Sequence, residues 1–382
     1  MPVLSRYLHE NCKFSLDYTG WVFFFLGLGT VLGTLCSGWF IDRVGSYKVI
    51  ITSLFCSSFL LILLSLAQNI YEVCFLILIF SFTSDLLRPA IFSILKSYTN
   101  KENQTQSFSL MRIASNLGLV IAPLIVTLII FSKVVNYKYI FVIDAISCML
   151  AGLIILFFIK EQKNLYNYSK DFKINTFRFN FAPLKDSIFL LNAMVACICG
   201  VLFFQFFSVF PIYFNSILDG NLKVDYLFSF LAIFISLLEL FVVNFYLRGK
   251  FFNTFVIGLG LLFFASGYSA LYFLENSIGI SIYLVCVAMG AIHTFPFSLN
   301  IVNKRSHNNN EGVFMAMFQM SYGFSQMISG KLNLQIVNNF GFQSNWILNI
   351  ALACIAMVLT YVMYIKVKAE KRAVNVQLNS YF

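Results

Sequence analysis

Among the ionisable and amide side chains inside otherwise apolar runs of this chain, seven are candidates for chemistry: Asp85, Arg88, Arg112, Asn116, Asp144, Glu239 and His293. Such groups are costly in an apolar medium and mark functional paths by default. Asp85 and Arg88 are spaced i and i+3, so they share a helix face and partly neutralise each other. Arg112 and Asn116, at i and i+4, share a face in the same way. Glu239 is the deepest carboxylate, about 20 Å along its helix, and is the expected proton or solute group. A Glu satisfied by a hydroxyl or amide is the alternative. Asp144 and His293 are further candidates for the same path, with ordinary helix packing as the alternative. A separate cluster, Gly38, Asp42, Arg43, Gly45 and Lys48, lies where one apolar run gives way to the next.

Other chemistries find little support. The nine cysteines are scattered, mostly inside apolar runs, without metal-ligand spacing. Cys197 and Cys199 are two residues apart on a helix, so their thiols point to different faces. The three histidines, at 9, 293 and 307, are far apart in sequence, which argues against a catalytic cluster of a membrane enzyme. No G-x-x-x-x-G-K-[ST] phosphate loop occurs. The expectation is therefore no metal, no cofactor and no enzymatic reaction.

The elements that must position these residues follow from composition. Of 382 residues, 59% are hydrophobic and 11% charged, too apolar for a soluble domain or a disordered chain. A bilayer core of about 30 Å takes about 20 apolar residues per helix. Cutting the chain at its charge and Gly/Asn clusters gives eleven predicted spans, near 18–41, 47–67, 71–96, 105–131, 137–159, 187–214, 224–247, 252–274, 278–302, 312–335 and 341–366. The polar stretch 160–186 separates a bundle of five helices, 1–159, from a bundle of six, 187–382. The net charge of +10 sits in short loops and tails, which favours membrane topology over nucleic-acid binding. Basic residues favour the side holding Arg43, the linker and the tail by three to one, which predicts a cytoplasmic C-terminus.

Sliding the chain so that residue 18 falls on 223 also brings 71–96 onto 276–301 and 105–131 onto 310–336, as two parallel repeats. In that register the sixth predicted helix has no partner in the first half. Its end, Phe210-Pro211-Ile212-Tyr213, resembles Met1-Pro2-Val3-Leu4, so the first half is expected to begin at the last turn of a further helix. Parallel repeats about an axis along the membrane normal are one architecture of secondary transporters.

Three motifs carry a family resemblance. Gly38-Trp39-Phe40-Ile41-Asp42-Arg43-Val44-Gly45-Ser46-Tyr47-Lys48 resembles the loop signature G-x-x-x-D-R-x-G-R-[KR] of the major facilitator superfamily, with Ser46 in place of a basic residue. Asp85, Arg88, Pro89 and Ala90 are similar to its D-x-x-R/x-P-A stretch. Arg112, Asn116, Gly118 and Pro123 resemble its R-x-x-x-N-x-G-x-x-x-G-P run, associated with antiporters, although Ala122 replaces the second glycine. The resemblance implies an all-α polytopic major facilitator fold lacking the first helix. It implies alternating access, with Asp42, Arg43, Asp85 and Arg88 latching the cytoplasmic side and Arg112, Asn116 and Glu239 lining the path. The expected function is secondary active transport of a small solute, by proton-coupled efflux. The alternatives are an importer of the same superfamily or a non-transporting, receptor-like protein. Expected partners are solute, protons and the lipid bilayer of a cell inner membrane, without nucleic acid, the chain acting as a monomer.

Overall fold

Apolar segments of this length close all their backbone hydrogen bonds internally only as helices, and the computed structural model is built accordingly. It describes residues 4–98, 138–159, 182–217, 224–249, 251–306 and 311–379, with Met111, Ala114, Ser115, Leu117, Gly118, Ile121, Ala122 and Ile125; no strand occurs among them. A short stretch, Leu4–Arg6 and the π-helical turn Tyr7–Asn11, precedes the first long helix. The main elements are α1 (Leu16–Val44), α2 (Ser46–Leu66), α3 (Ile70–Asp85), α4 (Leu87–Tyr98), α5 (Lys138–Phe158), α6 (Ser187–Ser208), α7 (Phe210–Ile217), α8 (Val224–Arg248), α9 (Asn253–Phe273), α10 (Ser277–Arg305) and α11 (Glu311–Asn379).

Among the described residues nine helices are long and apolar enough to cross a membrane. The ninth, within α11, turns at Gly341, where φ is +80°, so it forms two arms. The expected span 105–131 falls almost wholly outside the described residues, as does most of the 160–186 linker.

Local sequence explains where the helices begin and stop. Ser15, Asn69, Asp186 and Asn276 cap α1, α3, α6 and α10 by accepting hydrogen bonds from first-turn N–H groups, the favoured N-cap chemistry. Between α1 and α2 there is a single residue, Gly45, at φ +90° and ψ 145°. That conformation suits only glycine, and the Gly45 N–H still closes α1 on the Ile41 carbonyl at 2.9 Å. Gly38, grouped with this turn by the sequence, lies within α1.

The predicted span 71–96 is divided at Leu86 into α3 and α4. Pro89 lacks the N–H that would bond to the Asp85 carbonyl, so the ladder is interrupted there. Likewise 187–214 stops at Val209, and Pro211 sits in the first turn of α7, where its missing N–H costs nothing.

Helix α1 packs on α3, and α2 on α5 and α3; α6 packs on both α10 and α11, α9 on α10 and α11, and α8 on α10. At the heart of the second group, Phe206, Phe210, Tyr268, Tyr283 and Trp346 are fully buried and meet ring to ring. Gln205 on α6 is bonded to Asn345 and Asn349 on α11, an amide cluster that pins these helices in register.

The end of this group carrying the helix cap of α6 is tied by charge. Arg305, the last residue of α10, holds Asp186 at 2.6 Å and Glu370 at 2.6 Å. Burial pushes the Asp186 carboxyl up, but the Arg305 guanidinium and the Phe189 and Ile188 N–H groups outweigh it and hold it below the usual carboxylate range. A folded-state pKa below the unfolded value means that this stabilisation is complete above about pH 4 and disappears as pH falls through the folded value. In detergent the thermal transition of the wild type is therefore expected to weaken between about pH 4 and pH 2, whereas Arg305→Met loses about 1 kcal/mol at neutral pH and shows a flatter acid limb. Parallel curves for the two proteins would contradict this account.

Candidate transport seam

The two groups of helices meet where α1 crosses the first arm of α11 in antiparallel fashion. Two glycine pairs, each spaced by two helical turns, let the backbones touch. A Cβ on Gly27 would lie 2.5 Å from the Gly323 carbonyl oxygen and 2.6 Å from the Met327 nitrogen. A Cβ on Gly20 would lie 3.2 Å from the Lys331 Cα, and Phe23 fills the space beside Gly330. Small residues at a helix crossing are the usual route to close approach in a membrane, where no hydrophobic force pulls helices together.

At the end of the seam where α1 starts, Lys331 Nζ lies 2.5 Å from Asp17 Oδ1 and 4.3 Å above the Trp21 ring. Toward the middle of both helices, the Thr30 hydroxyl is 3.2 Å from the Leu26 carbonyl and 3.3 Å from Gln326 Oε1, so one donor is shared between its own helix and the opposite group. Asp85 is half-buried at the break between α3 and α4, and Arg88 stands exposed in the first turn of α4. A polar contact thus joins Thr30 of one group to Gln326 of the other. Further along α1 the contact opens, and nothing lies within 4 Å of where Gly38 or Gly45 would carry a Cβ.

The seam gathers only part of the residues expected from sequence. Asp85 and Arg88 flank the break at Leu86, Asp85 ending α3 and Arg88 in the first turn of α4. Asp42 is on the last turn of α1, and Arg43 lies 4.6 Å over the Trp39 ring. Lys48 is exposed on the first turn of α2. Ser46, where the signature has a basic residue, hydrogen-bonds Ser93 of α4 at 2.7 Å, so a neutral contact ties the turn to α4.

His293 is buried away from the seam. Its Nδ1 is 2.7 Å from the Met289 carbonyl of its own helix, and its ring is packed between Tyr246 and Phe263, each 5.4 Å away. Glu239 is half-buried on α8 and Asp144 exposed on α5. Gly118 is exposed, with open space about it. Arg112, Asn116 and Pro123 lie outside the described residues. Among the described residues no group of three His, Cys, Asp or Glu side chains is placed to hold a metal ion.

Asp17, Trp21, Thr30, Tyr322, Gln326 and Lys331 were not singled out by sequence reading. A signal was present: Gly20 and Gly27, and Gly323 and Gly330, each pair two turns apart on one face.

Two helical groups joined by a close-packed seam with polar contacts at mid-span have the architecture of a membrane transporter rather than an enzyme. The family model of the Major Facilitator Superfamily matches residues 1–330, and the chain belongs to that superfamily. It is similar to solved transporters over nearly its whole length. The nucleoside transporter NupG aligns with TM-score 0.75 at 16% identity, covering 95% of this chain and 94% of the other. The POT family transporter PepTSo aligns with TM-score 0.77 at 12% identity, covering 97% and 94%. These likenesses are of fold. A Na(+), Li(+), K(+)/H(+) antiporter of Planococcus maritimus is 22% identical over 241 residues, 59% of this chain. The chain spans about 56% of that relative's length.

Proposed function

We propose that this transporter is proton-coupled and moves a small solute out of the cell in exchange for protons, the groups 1–159 and 187–382 rocking about the α1–α11 seam. The observation that supports the reading is the close-packed α1–α11 seam, where Thr30 of one group meets Gln326 of the other at mid-helix, since such transporters bind solute and coupling ion near the midplane between their two repeats. The partial antiporter run from Arg112 to Pro123 and the Planococcus relative's printed activity favour exchange over import. In this reading the chain sits in the inner membrane with its C-terminus in the cytoplasm, the seam's ion-paired end faces outward and the Gly45 turn inward. Asp42 and Arg43 then latch the inner side in the opposite state.

Everted membrane vesicles energised to an acid interior test this directly, with acridine orange reporting the proton gradient. Addition of NaCl, LiCl, KCl or a panel of organic cations is expected to dissipate the gradient in vesicles bearing the protein and not in controls. Asp42→Asn should insert normally and lose most of that response. Proton-driven release of preloaded solute from the acid lumen, without dissipation on its addition from the proton-poor side, would mean import instead.

A further inference from the structure

Lys331 lies in a slot made by one face of α1. Asp17, Gly20 and Trp21, at i, i+3 and i+4, stand on the same side of that helix. Asp17 Oδ1 accepts from the Lys331 ammonium at 2.5 Å, and the Trp21 ring centroid is 4.3 Å from the same nitrogen. Gly20 leaves room for the rest of the side chain: a Cβ there would lie 3.2 Å from the Lys331 Cα and 3.6 Å from its Cδ. The indole is braced edge-on by Phe24, with ring centroids 5.4 Å apart. The slot belongs wholly to the first group of helices, and its occupant to the second.

A carboxylate beside an aromatic face is the chemistry that recognises an organic ammonium, since the anion draws the charge and the ring quadrupole accepts a weakly hydrated cation. A metal ion would need more hard oxygen ligands than one carboxylate supplies. The slot is also within reach of solution, the Asp17 side chain being 43% exposed and Trp21 39%. A half-exposed ion pair and a cation–π contact together hold a charge only about tenfold more tightly than water does, so the occupant is exchangeable. We propose that Asp17, Gly20 and Trp21 form a binding slot for a soluble alkylammonium ion, for which Lys331 is the tethered stand-in. With the seam closed, Lys331 fills the slot. An alkylammonium that takes its place frees Lys331 and unties this end of α1 from α11. The ligand thus favours the open seam, by as much as it binds the vacant slot better than the filled one. The inference rests on the transporter reading above for the motion of the seam and not for the slot itself.

The test uses purified full-length protein in detergent, so that it does not depend on flux. The probe is n-butylammonium, the lysine side chain cut free, with n-butanol as the uncharged control, and binding is followed by saturation-transfer NMR. Lys331→Ala empties the slot and is expected to bind n-butylammonium about tenfold more tightly than the wild type, the advantage its own lysine held. Adding Asp17→Asn to Lys331→Ala should remove the binding, and adding Trp21→Leu should weaken it severalfold. In the wild type, saturating n-butylammonium should lower hydrogen-exchange protection of residues 16–31, n-butanol should not, and Asp17→Asn should be indifferent to both. Equal affinity in the wild type and Lys331→Ala overturns the slot, as does binding that survives Asp17→Asn. If Lys331→Ala does not fold, wild-type protection that is unmoved by the probe overturns it by itself. A protein that binds n-butylammonium in this pattern and moves nothing in vesicles would overturn the transport reading and leave the slot standing; transport without this binding pattern would overturn the slot alone.

Discussion

Gly27→Ala is expected to abolish most transport while leaving membrane insertion intact. The added methyl would meet the Gly323 carbonyl at 2.5 Å and the Met327 nitrogen at 2.6 Å. Both are backbone atoms of a long helix, so neither yields by a rotamer change. The closed seam must open, and overpacking of this kind costs about 1–3 kcal/mol, which shifts a two-state equilibrium by about 5- to 150-fold. If the closed seam is an obligatory state of the cycle, flux falls by a similar factor. Gly258→Ala is the control, since nothing lies within 4 Å of its added Cβ. Vesicle flux, together with hydrogen exchange over residues 16–31, measures the effect. Unchanged flux and protection in Gly27→Ala would mean that the seam does not close in this way during transport.

Charge reversal at the end of the same seam should give the next largest effect. Lys331 is held at once by Asp17 at 2.5 Å and by the Trp21 ring at 4.3 Å. An exposed ion pair contributes about 0.2–1 kcal/mol and a cation–π contact about 0.5–1 kcal/mol. Lys331→Glu removes both and sets two carboxylates face to face, so protection at the start of α1 should fall by more than tenfold. Combining it with Asp17→Lys restores an ion pair of opposite sense. The double variant should recover part of the protection, with a coupling of about 1 kcal/mol. The recovery should shrink as salt screens the half-exposed pair. Additive effects of the two single changes would show that the pair contributes nothing to closure.

Both predictions concern residues that sequence reading passed over, and the reason is physical. Lys331 was legible only as one basic residue among the few on its side of the membrane. Its significance depends on Asp17, more than three hundred residues away, and no local pattern couples the two. Thr30 and Gln326 are individually unremarkable polar residues of apolar helices; only the crossing of α1 and α11 makes them a pair. Conversely His293, conspicuous as a histidine in an apolar run, bonds to its own helix and packs between two rings. Its type drew attention, and its surroundings show an ordinary core residue. Asp85 and Arg88 were read as sharing a face of one helix, whereas the break at Leu86 puts Asp85 at the end of α3 and Arg88 in the first turn of α4.

What the sequence determined by itself is what short-range physics encodes. Apolar runs of bilayer length demanded helices, Ser, Asn and Asp caps and a lone glycine marked their ends, and the loop motifs sufficed for the superfamily. These are properties of segments or of a few adjacent residues, written in spacing and composition. What only the tertiary structure decided is which faces meet. In a membrane nearly every face of a helix is apolar, so periodicity does not separate a lipid-facing stripe from a buried one. The choice falls to close packing at Gly27 and Gly323 and to polar contacts between residues far apart in the chain, and both exist only once the two groups of helices are placed against each other.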